Sequence, residues 1–197
     1  MIREIYLPSP SQKILEKIER MLSVPDIDLE LALKRKHDYI QNFQRNSVSR
    51  KFIEDDEELN QLAQNEYKFF FNEKFQASLG IIRNIGFEKF ACWPPHTDRV
   101  RIFALNYYLR EGGEYVTTVT YNTLDHNIAG EGTGKIYKYE DLSIDKIYHL
   151  KMNSWYALSV RQAHSIENIE NMRLIFTLSF HDITYHEFQG KYNHLFQ

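Results

Sequence analysis

The sequence has a single cysteine and no long apolar run, and these two shortages exclude several classes of protein. Cys92 is the only cysteine among 197 residues, so no internal disulfide can form. Its position between Ala91 and Trp93 favours plain packing over a role as nucleophile. No stretch approaches the roughly 18 unbroken apolar residues of a membrane-spanning helix, and the N-terminus carries no apolar signal region. We therefore expect a cytoplasmic protein with no membrane partner.

The chain also lacks an excess of basic residues. Its 24 Lys and Arg residues against 27 Asp and Glu residues give a formal net charge of -3. Nucleic-acid-binding domains usually carry a basic patch and a high isoelectric point, so we expect no nucleic-acid partner. The length fits one domain with a core of its own.

The first part of the chain has helical periodicity. We predict a mainly helical segment over residues 1–77 that packs on the core, within a single domain. A first helix follows Ser9 or Ser11, a second covers about residues 26–46, and a third begins near the acidic run 53–58.

From residue 78 onward, short β-rich runs alternate with Gly, Asn, Asp and Pro. Helical patterns do not separate the runs, which argues against a parallel sheet and favours a sandwich or jelly roll over residues 78–197. The predicted fold is therefore α+β, a double-stranded β-helix (jelly-roll, cupin-like) core with N-terminal helices packed on its sheet. The predicted strands are the runs 78–86, 90–93, 101–109, 115–122, 134–139, 146–153, 154–160 and 173–180. The segment 125–134 holds three glycines but lacks the Gly-Lys-Ser/Thr ending of a phosphate loop, so we expect an ordinary loop there.

His96 and Asp98 form the first candidate for a functional site. Residues two apart in an extended chain point to the same side, so the imidazole and the carboxylate can converge on one metal ion. Pro94 and Pro95 favour the extended backbone that this requires. When the doublet is taken alone, a surface polar pair at the start of a strand is the better explanation.

A later stretch adds two candidates. His164 follows an apolar run and a polar turn, and Arg173 comes nine residues after it. The strand opened by Arg173 alternates with one exception. Leu174, Phe176, Leu178 and Phe180 share one face, while Arg173 shares the other with Thr177, Ser179 and the apolar exception, Ile175. A buried arginine on that face requires an anion, whereas a solvated face requires none.

Two histidines and one carboxylate constitute the facial triad of non-haem Fe(II) oxygenases, which leaves three positions on the metal open. An arginine nearby can hold a dicarboxylate through a bidentate contact. These parts together suit Fe(II), a 2-oxo acid and O2.

The order of these parts resembles the Fe(II)/2-oxoglutarate-dependent dioxygenases, most of all the prolyl-hydroxylase-like branch. The resemblance covers residues 86–180, about half the chain. Its motifs are His96 and Asp98, the strand ALNYYL at 104–109, the Gly112-Gly113 turn, His164 and Arg173.

The resemblance implies a hydroxylase that acts on an unactivated C–H bond of an amino-acid, peptidyl or small-molecule substrate and converts 2-oxoglutarate to succinate. It implies Fe(II) ligands at His96, Asp98 and His164, and a 2-oxoglutarate carboxylate on Arg173. Tyr108, Asn106 and Thr177 are further candidates for cosubstrate contacts. For Tyr108, core packing is an equal alternative.

Two departures from the family pattern bear on the substrate side and on the branch of the family, respectively. Phe87 and Phe90 stand upstream of the histidine, where relatives often carry a tyrosine, and Ile175 stands where one branch has a serine. The alternatives are a cupin-like metal-binding or sensing protein without turnover, and a cupin metalloenzyme that does not use 2-oxoglutarate. Arg173 separates the oxygenase from the plain binding protein, because 2-oxoglutarate binding predicts a cation at this position; cupin metalloenzymes usually use more His ligands.

Overall fold

The computed structural model describes residues 1–23, 48–85, 89–98, 101–123 and 135–196. The second predicted helix and the predicted loop at 125–134 lie outside these residues. Within them the chain forms three helices, α1 (Gln12–Ser23), α2 (Glu57–Tyr67) and α3 (Tyr185–Lys191). Ten strands accompany them: β1 (Ile2–Ile5), β2 (Val48–Ile53), β3 (Phe75–Asn84), β4 (Ala91–His96), β5 (Phe103–Glu111), β6 (Thr117–Thr123), β7 (Leu142–Tyr148), β8 (Trp155–Leu158), β9 (His164–Ile169) and β10 (Met172–Phe180).

The strands form two antiparallel sheets. Six strands make the larger sheet, in the order β1-β8-β5-β10-β3-β2, and four make the smaller sheet, in the order β4-β9-β6-β7. Strands that are neighbours in space are distant in sequence, as β10 is from both β3 and β5. Two antiparallel sheets whose neighbouring strands are distant in sequence form a jelly roll, so the predicted fold class is confirmed.

The two faces of the larger sheet bury two different cores. One face packs against the helices, and it carries the four alternating side chains of β10 that the sequence predicts, Leu174, Phe176, Leu178 and Phe180. The opposite face points toward the smaller sheet, where Ile175 and Tyr108 meet Trp93 and Ile166. The functional candidates lie between the two sheets, on this second face.

The N-terminal segment contributes more strand than its helical pattern predicts. The helices α1 and α2 form where the first and third helices are expected, but residues 2–5 and 48–53 become β1 and β2 at the two edges of the larger sheet. Strand β1 forms because β8 offers it a free edge, and four residues are too few to show a clear alternation in sequence.

Three further elements differ from the predicted pattern. No strand forms in the described part of the run 134–139: Ile136 makes only an isolated bridge to His96, and Tyr139–Asp141 is a short 3-10 turn. The predicted strand 146–153 is shifted, since β7 covers Leu142–Tyr148. Strand β9 was not predicted because four of its six residues are polar, yet it forms by pairing with β4 on one side and β6 on the other. None of the described helices is long and apolar enough to cross a membrane.

Candidate active site

His96, Asp98 and His164 come together between the sheets. The Cα atoms of His96 and His164 are paired across strands β4 and β9, and their rings lie 4.4 Å apart, centroid to centroid. One ligand atom from each of the three residues lies within 4.8 Å of the other two. Among the described residues, this is the one group of three or more His, Cys, Asp or Glu side chains with that spacing.

The local backbone determines how the His-x-Asp pair is presented. Strand β4 lies at the edge of its sheet, which is where prolines are tolerated because they donate no ladder hydrogen bond. The carbonyl of Pro95 accepts a hydrogen bond from the Tyr137 amide, at 2.9 Å. The Asp98 amide then donates to the carbonyl of Val160, at 3.0 Å, and this bond fixes the carboxylate beside the start of β9.

Both imidazoles are oriented by backbone carbonyls two residues earlier in the chain. His96 Nδ1 lies 2.9 Å from the carbonyl oxygen of Pro94, and His164 Nδ1 lies 2.9 Å from that of Gln162. A carbonyl can only accept, so each Nδ1 carries the proton and each Nε2 keeps its lone pair. His96 Nε2 is buried and without a hydrogen-bond partner among the described residues. That is the state required of a metal ligand.

Burial sets the charge states of the three side chains. It lowers the pKa of His96 to about 3, an effect that nearby His164 adds to and Asp98 opposes. Burial also lowers the pKa of His164. For Asp98, burial raises the pKa, but the Arg101 guanidinium and the two histidines outweigh it, so the pKa falls below its ordinary value. Two neutral histidines and one carboxylate anion therefore face one another at neutral pH.

Arg101 is paired with the carboxylate. Its terminal nitrogen lies 2.6 Å from Asp98 Oδ2, an ion pair whose angles are not those of a hydrogen bond. The other oxygen, Oδ1, lies 3.8 Å from His96 Nε2. The position of Arg101 in the sequence, shortly after the His-x-Asp pair, fits either an anionic-substrate contact or a solvated side chain. The structure instead places it against Asp98, with 14% of its side chain exposed.

Arg173 is buried without a full set of partners. It is 1% exposed, and one terminal nitrogen donates to Thr118 Oγ1 at 3.1 Å. The guanidinium lies over the ring of Tyr108, 4.6 Å from its centroid. The remaining donors, Nε and Nη1, have no partner among the described residues. An arginine with two open donors in the interior is a ready site for a carboxylate.

One recess joins these groups. Asp98, His164, Tyr108 and Thr118 all line it, so it connects two of the three candidate ligands to the two residues that contact Arg173. Asn106 and Thr177 line it as well, and there Thr177 Oγ1 donates to Asn106 Oδ1 at 2.9 Å. The apolar part of the wall consists of Phe52, Ile82, Trp93, Leu158, Val160, Ile166 and Ile175.

Two residues of the site carried no signal that the sequence analysis used. The alternating run 117–123 marks Thr118 as a strand residue. Its contact with Arg173 depends on the packing of β6 against β10, which the sequence does not show. Trp93 stacks on the His96 ring at 4.1 Å with an interplanar angle of 16°. It was predicted only as part of a strand.

No family model matches the sequence, and no curated protein matches it. Solved structures do match. A prolyl hydroxylase from Trichoplax adhaerens, in complex with a hypoxia inducible factor peptide fragment, has a TM-score of 0.46 and 11% identity, over 92% of this chain and 83% of its own. A prolyl-4-hydroxylase from Pseudomonas putida has a TM-score of 0.42 and 14% identity, over 92% and 91%.

A 2OG-Fe(II) oxygenase family protein from Burkholderia pseudomallei also matches, with a TM-score of 0.37 and 9% identity, over 70% of this chain and 66% of its own. The chain spans about a third of the length of another similar structure, Escherichia coli ycfD. The chain is thus similar to prolyl hydroxylases and a 2OG-Fe(II) oxygenase, the proteins that its sequence resembles.

Proposed function

We propose that this protein is a non-haem Fe(II)/2-oxoglutarate-dependent oxygenase that hydroxylates an unactivated C–H bond. The observation that carries the proposal is that two groups of residues with unpaired buried polar atoms lie beside one recess. A triad of two histidines and a carboxylate has a buried unpaired nitrogen, and a buried arginine has two unpaired donors. Fe(II) would bind the unpaired histidine nitrogen, and the distal carboxylate of 2-oxoglutarate would accept hydrogen bonds from the two unpaired arginine donors.

The residues fit the metal in type and in protonation. His96, His164 and Asp98 would hold it, with both Nδ1 protons donated to backbone carbonyls and the carboxylate ionised. When bound, iron would supply the activation of O2, with one oxygen atom going to the substrate and the other to succinate as 2-oxoglutarate is decarboxylated to succinate and CO2.

The protein's own part is binding, orientation and exclusion of water. Arg173 would bind the carboxylate, and its orientation is already fixed by Thr118 and by the Tyr108 ring. Direct cosubstrate contacts from the Tyr108 hydroxyl, Asn106 and Thr177 stay predictions. The apolar wall of the recess keeps water from the reacting centre.

The substrate is proposed more coarsely, as an amino-acid, peptidyl or small-molecule compound. A peptidyl substrate is supported by the resemblance to prolyl hydroxylases, one of which was solved with a peptide fragment. The cupin alternatives predict metal binding without a role for Arg173. Its burial with open donors favours the oxygenase over them.

An anaerobic spectrum tests the proposal. Fe(II) and 2-oxoglutarate are added to the wild type, and the visible charge-transfer band of a chelated 2-oxo acid is measured. We expect the band in the wild type, its loss in His96→Ala and its weakening in Arg173→Ala. Arg110→Ala is the matched control, because this arginine is exposed on β5 and lies outside the recess. Bound iron without a band would overturn 2-oxoglutarate as the cosubstrate and favour the cupin alternatives.

A further inference from the structure

Strand β2 contributes an aromatic ring to the site from outside the predicted motifs. This strand pairs with β3 at the edge of the larger sheet, and Phe52 lies opposite Gly80 in that pairing. Phe52 also lines the recess that holds Asp98 and His164. It is not itself a metal-ligating residue type, so a role in holding the metal has to act through its neighbours.

The neighbours of Phe52 are the two side chains that support the His-x-Asp pair. Its ring lies 5.8 Å from that of Trp93, which in turn stacks on His96. On another side, the Arg101 guanidinium lies 5.4 Å from the Phe52 centroid, within the range of a cation–π contact. Arg101 is the partner of Asp98. A single ring therefore contacts the supports of both candidate ligands.

Gly80 explains how the ring reaches this position. A Cβ atom at residue 80 would lie 2.9 Å from Cε1 of Phe52 and 3.4 Å from Cδ1. A glycine inside a strand weakens it, and it often marks a close approach by another group. Here the missing side chain leaves the space into which Phe52 packs.

We propose that Phe52 is a positioning residue for the metal site, and that Gly80 is a glycine in order to admit it. Phe52 holds Arg101 against Asp98 and Trp93 against His96, so the two ligands of the first motif share one support. Groups that orient metal ligands from behind commonly change metal affinity about 10- to 100-fold when they are replaced. The inference rests on the proposed function only in requiring that the triad bind a divalent metal.

The test uses Co(II), whose visible absorption reports ligand geometry as well as affinity. Phe52→Leu keeps an apolar side chain and removes the aromatic face. We expect Co(II) to bind about tenfold more weakly, with an altered absorption spectrum, and Phe52→Tyr to restore both. The matched control is Ile53→Val, one residue along the same strand, where the side chain packs in the helix-side core instead. Its affinity and spectrum should equal those of the wild type.

Gly80→Ala gives an independent second test, because it displaces the Phe52 ring without changing that residue. It should weaken Co(II) binding in the same direction as Phe52→Leu, and it decides the matter if Phe52→Leu fails to fold. A wild type that binds no Co(II) would contradict the proposed metal site itself. A wild type that binds Co(II), with unchanged affinity and spectrum in the folded Phe52 or Gly80 variant, would overturn the role of Phe52 alone.

Discussion

Arg173 is a residue whose burial costs free energy that the fold offsets only in part. Its one hydrogen bond to Thr118 and its contact with the Tyr108 ring leave two donors unsatisfied in the interior. A buried charge without full compensation is destabilising, and its replacement by an apolar side chain of similar volume is often neutral or stabilising. The burial of Arg173 with two unsatisfied donors is therefore better explained by the binding of an anionic ligand than by a contribution to the stability of the fold.

We therefore predict that Arg173→Met raises the free energy of unfolding of the ligand-free protein by about 1 kcal/mol, because it removes an uncompensated charge. Urea denaturation measures the change. Thr118→Val is the matched comparison: it removes the one hydrogen bond of the guanidinium and should lower stability by about 1 kcal/mol. A loss of more than about 2 kcal/mol in Arg173→Met would mean that the arginine supports the fold itself.

Gly112 lies against the same arginine in a conformation that favours glycine. Its φ of +96° is left-handed, and a Cβ there would lie 3.0 Å from Cβ of Arg173. Its carbonyl also accepts the amides of Glu170 and Asn171, at 2.9 and 2.7 Å, which holds the turn before β10. The predicted Gly112-Gly113 turn thus has a specific contact with the strand that carries Arg173.

Gly112→Ala should lower the free energy of unfolding by about 1–2 kcal/mol, the cost of a left-handed conformation for a residue with a Cβ. It should also weaken 2-oxoglutarate binding, because Arg173 has to move. Gly190→Ala is the control: it lies in α3 with no atom within 4 Å of its added Cβ, so it should be neutral or stabilising. Calorimetric denaturation of both variants decides the point, and equal effects would argue against strain at Gly112.

At the scale of elements, the clearest electrostatic interaction is at the start of α2. Asp56 caps this helix, its carboxylate accepting the Leu59 amide at 2.8 Å, and it also pairs with Lys17 of α1 at 2.9 Å. Burial raises the pKa of Asp56, but the Lys17 and amide contacts outweigh it, so the pKa lies below 3.8, its ordinary value. One side chain thus begins α2 and joins it to α1.

A lowered pKa in the folded protein means that Asp56 stabilises the fold fully above pH 3.8, and that this stability is lost as the pH falls through the lower folded value. Asp56→Asn should keep the cap but lose the ion pair, so its free energy of unfolding should fall less than that of the wild type between pH 5 and pH 3. Urea titrations across that range measure it. The exposed neighbour gives the control: Asp55→Asn should follow the wild-type curve, and parallel curves for all three proteins would contradict the argument.

Elements differ in how far the sequence alone predicted them. The alternating runs that form β3, β5 and β10 were predictable because the two faces of each strand pack against different parts of the molecule. The face that packs in the helix-side core carries the large apolar residues, which makes the alternation visible in the sequence. Strand β9 was not, because polar residues interrupt its pattern and its pairing with two neighbours supplies the stability. For α3 a signal did exist and was not used: Thr184 and Glu187 form a capping box.

For the whole molecule, the sequence predicted which residues form the site better than it predicted the contacts between them. The order of His96, Asp98, His164 and Arg173 was readable because spacing on strands decides which side chains share a face. The contacts of Arg101 with Asp98, of Thr118 with Arg173 and of Phe52 with Trp93 were not readable. The last two contacts join strands that are distant in sequence, and only the packing of the sheets brings them together, whereas the first depends on how the chain after β4 folds back on itself.

That packing couples the site to global stability. The three candidate ligands lie on or directly after strands of the smaller sheet and Arg173 lies on the larger sheet, so ligands that bind them favour the folded jelly roll over the unfolded chain. We predict that Mn(II), under anaerobic conditions and at 100 times its dissociation constant, raises the free energy of unfolding by about 2.7 kcal/mol. The gain should disappear in His164→Ala and persist in Arg173→Met.

Adding 2-oxoglutarate to the Mn(II)-loaded protein separates the two parts of the site. The wild type should gain further stability in urea denaturation, since the cosubstrate binds only the folded state. Arg173→Met should gain much less, because the carboxylate loses its cation while the metal remains. Equal gains in both proteins would mean that the distal carboxylate binds elsewhere, and the two unpaired donors of Arg173 would then require a different anion.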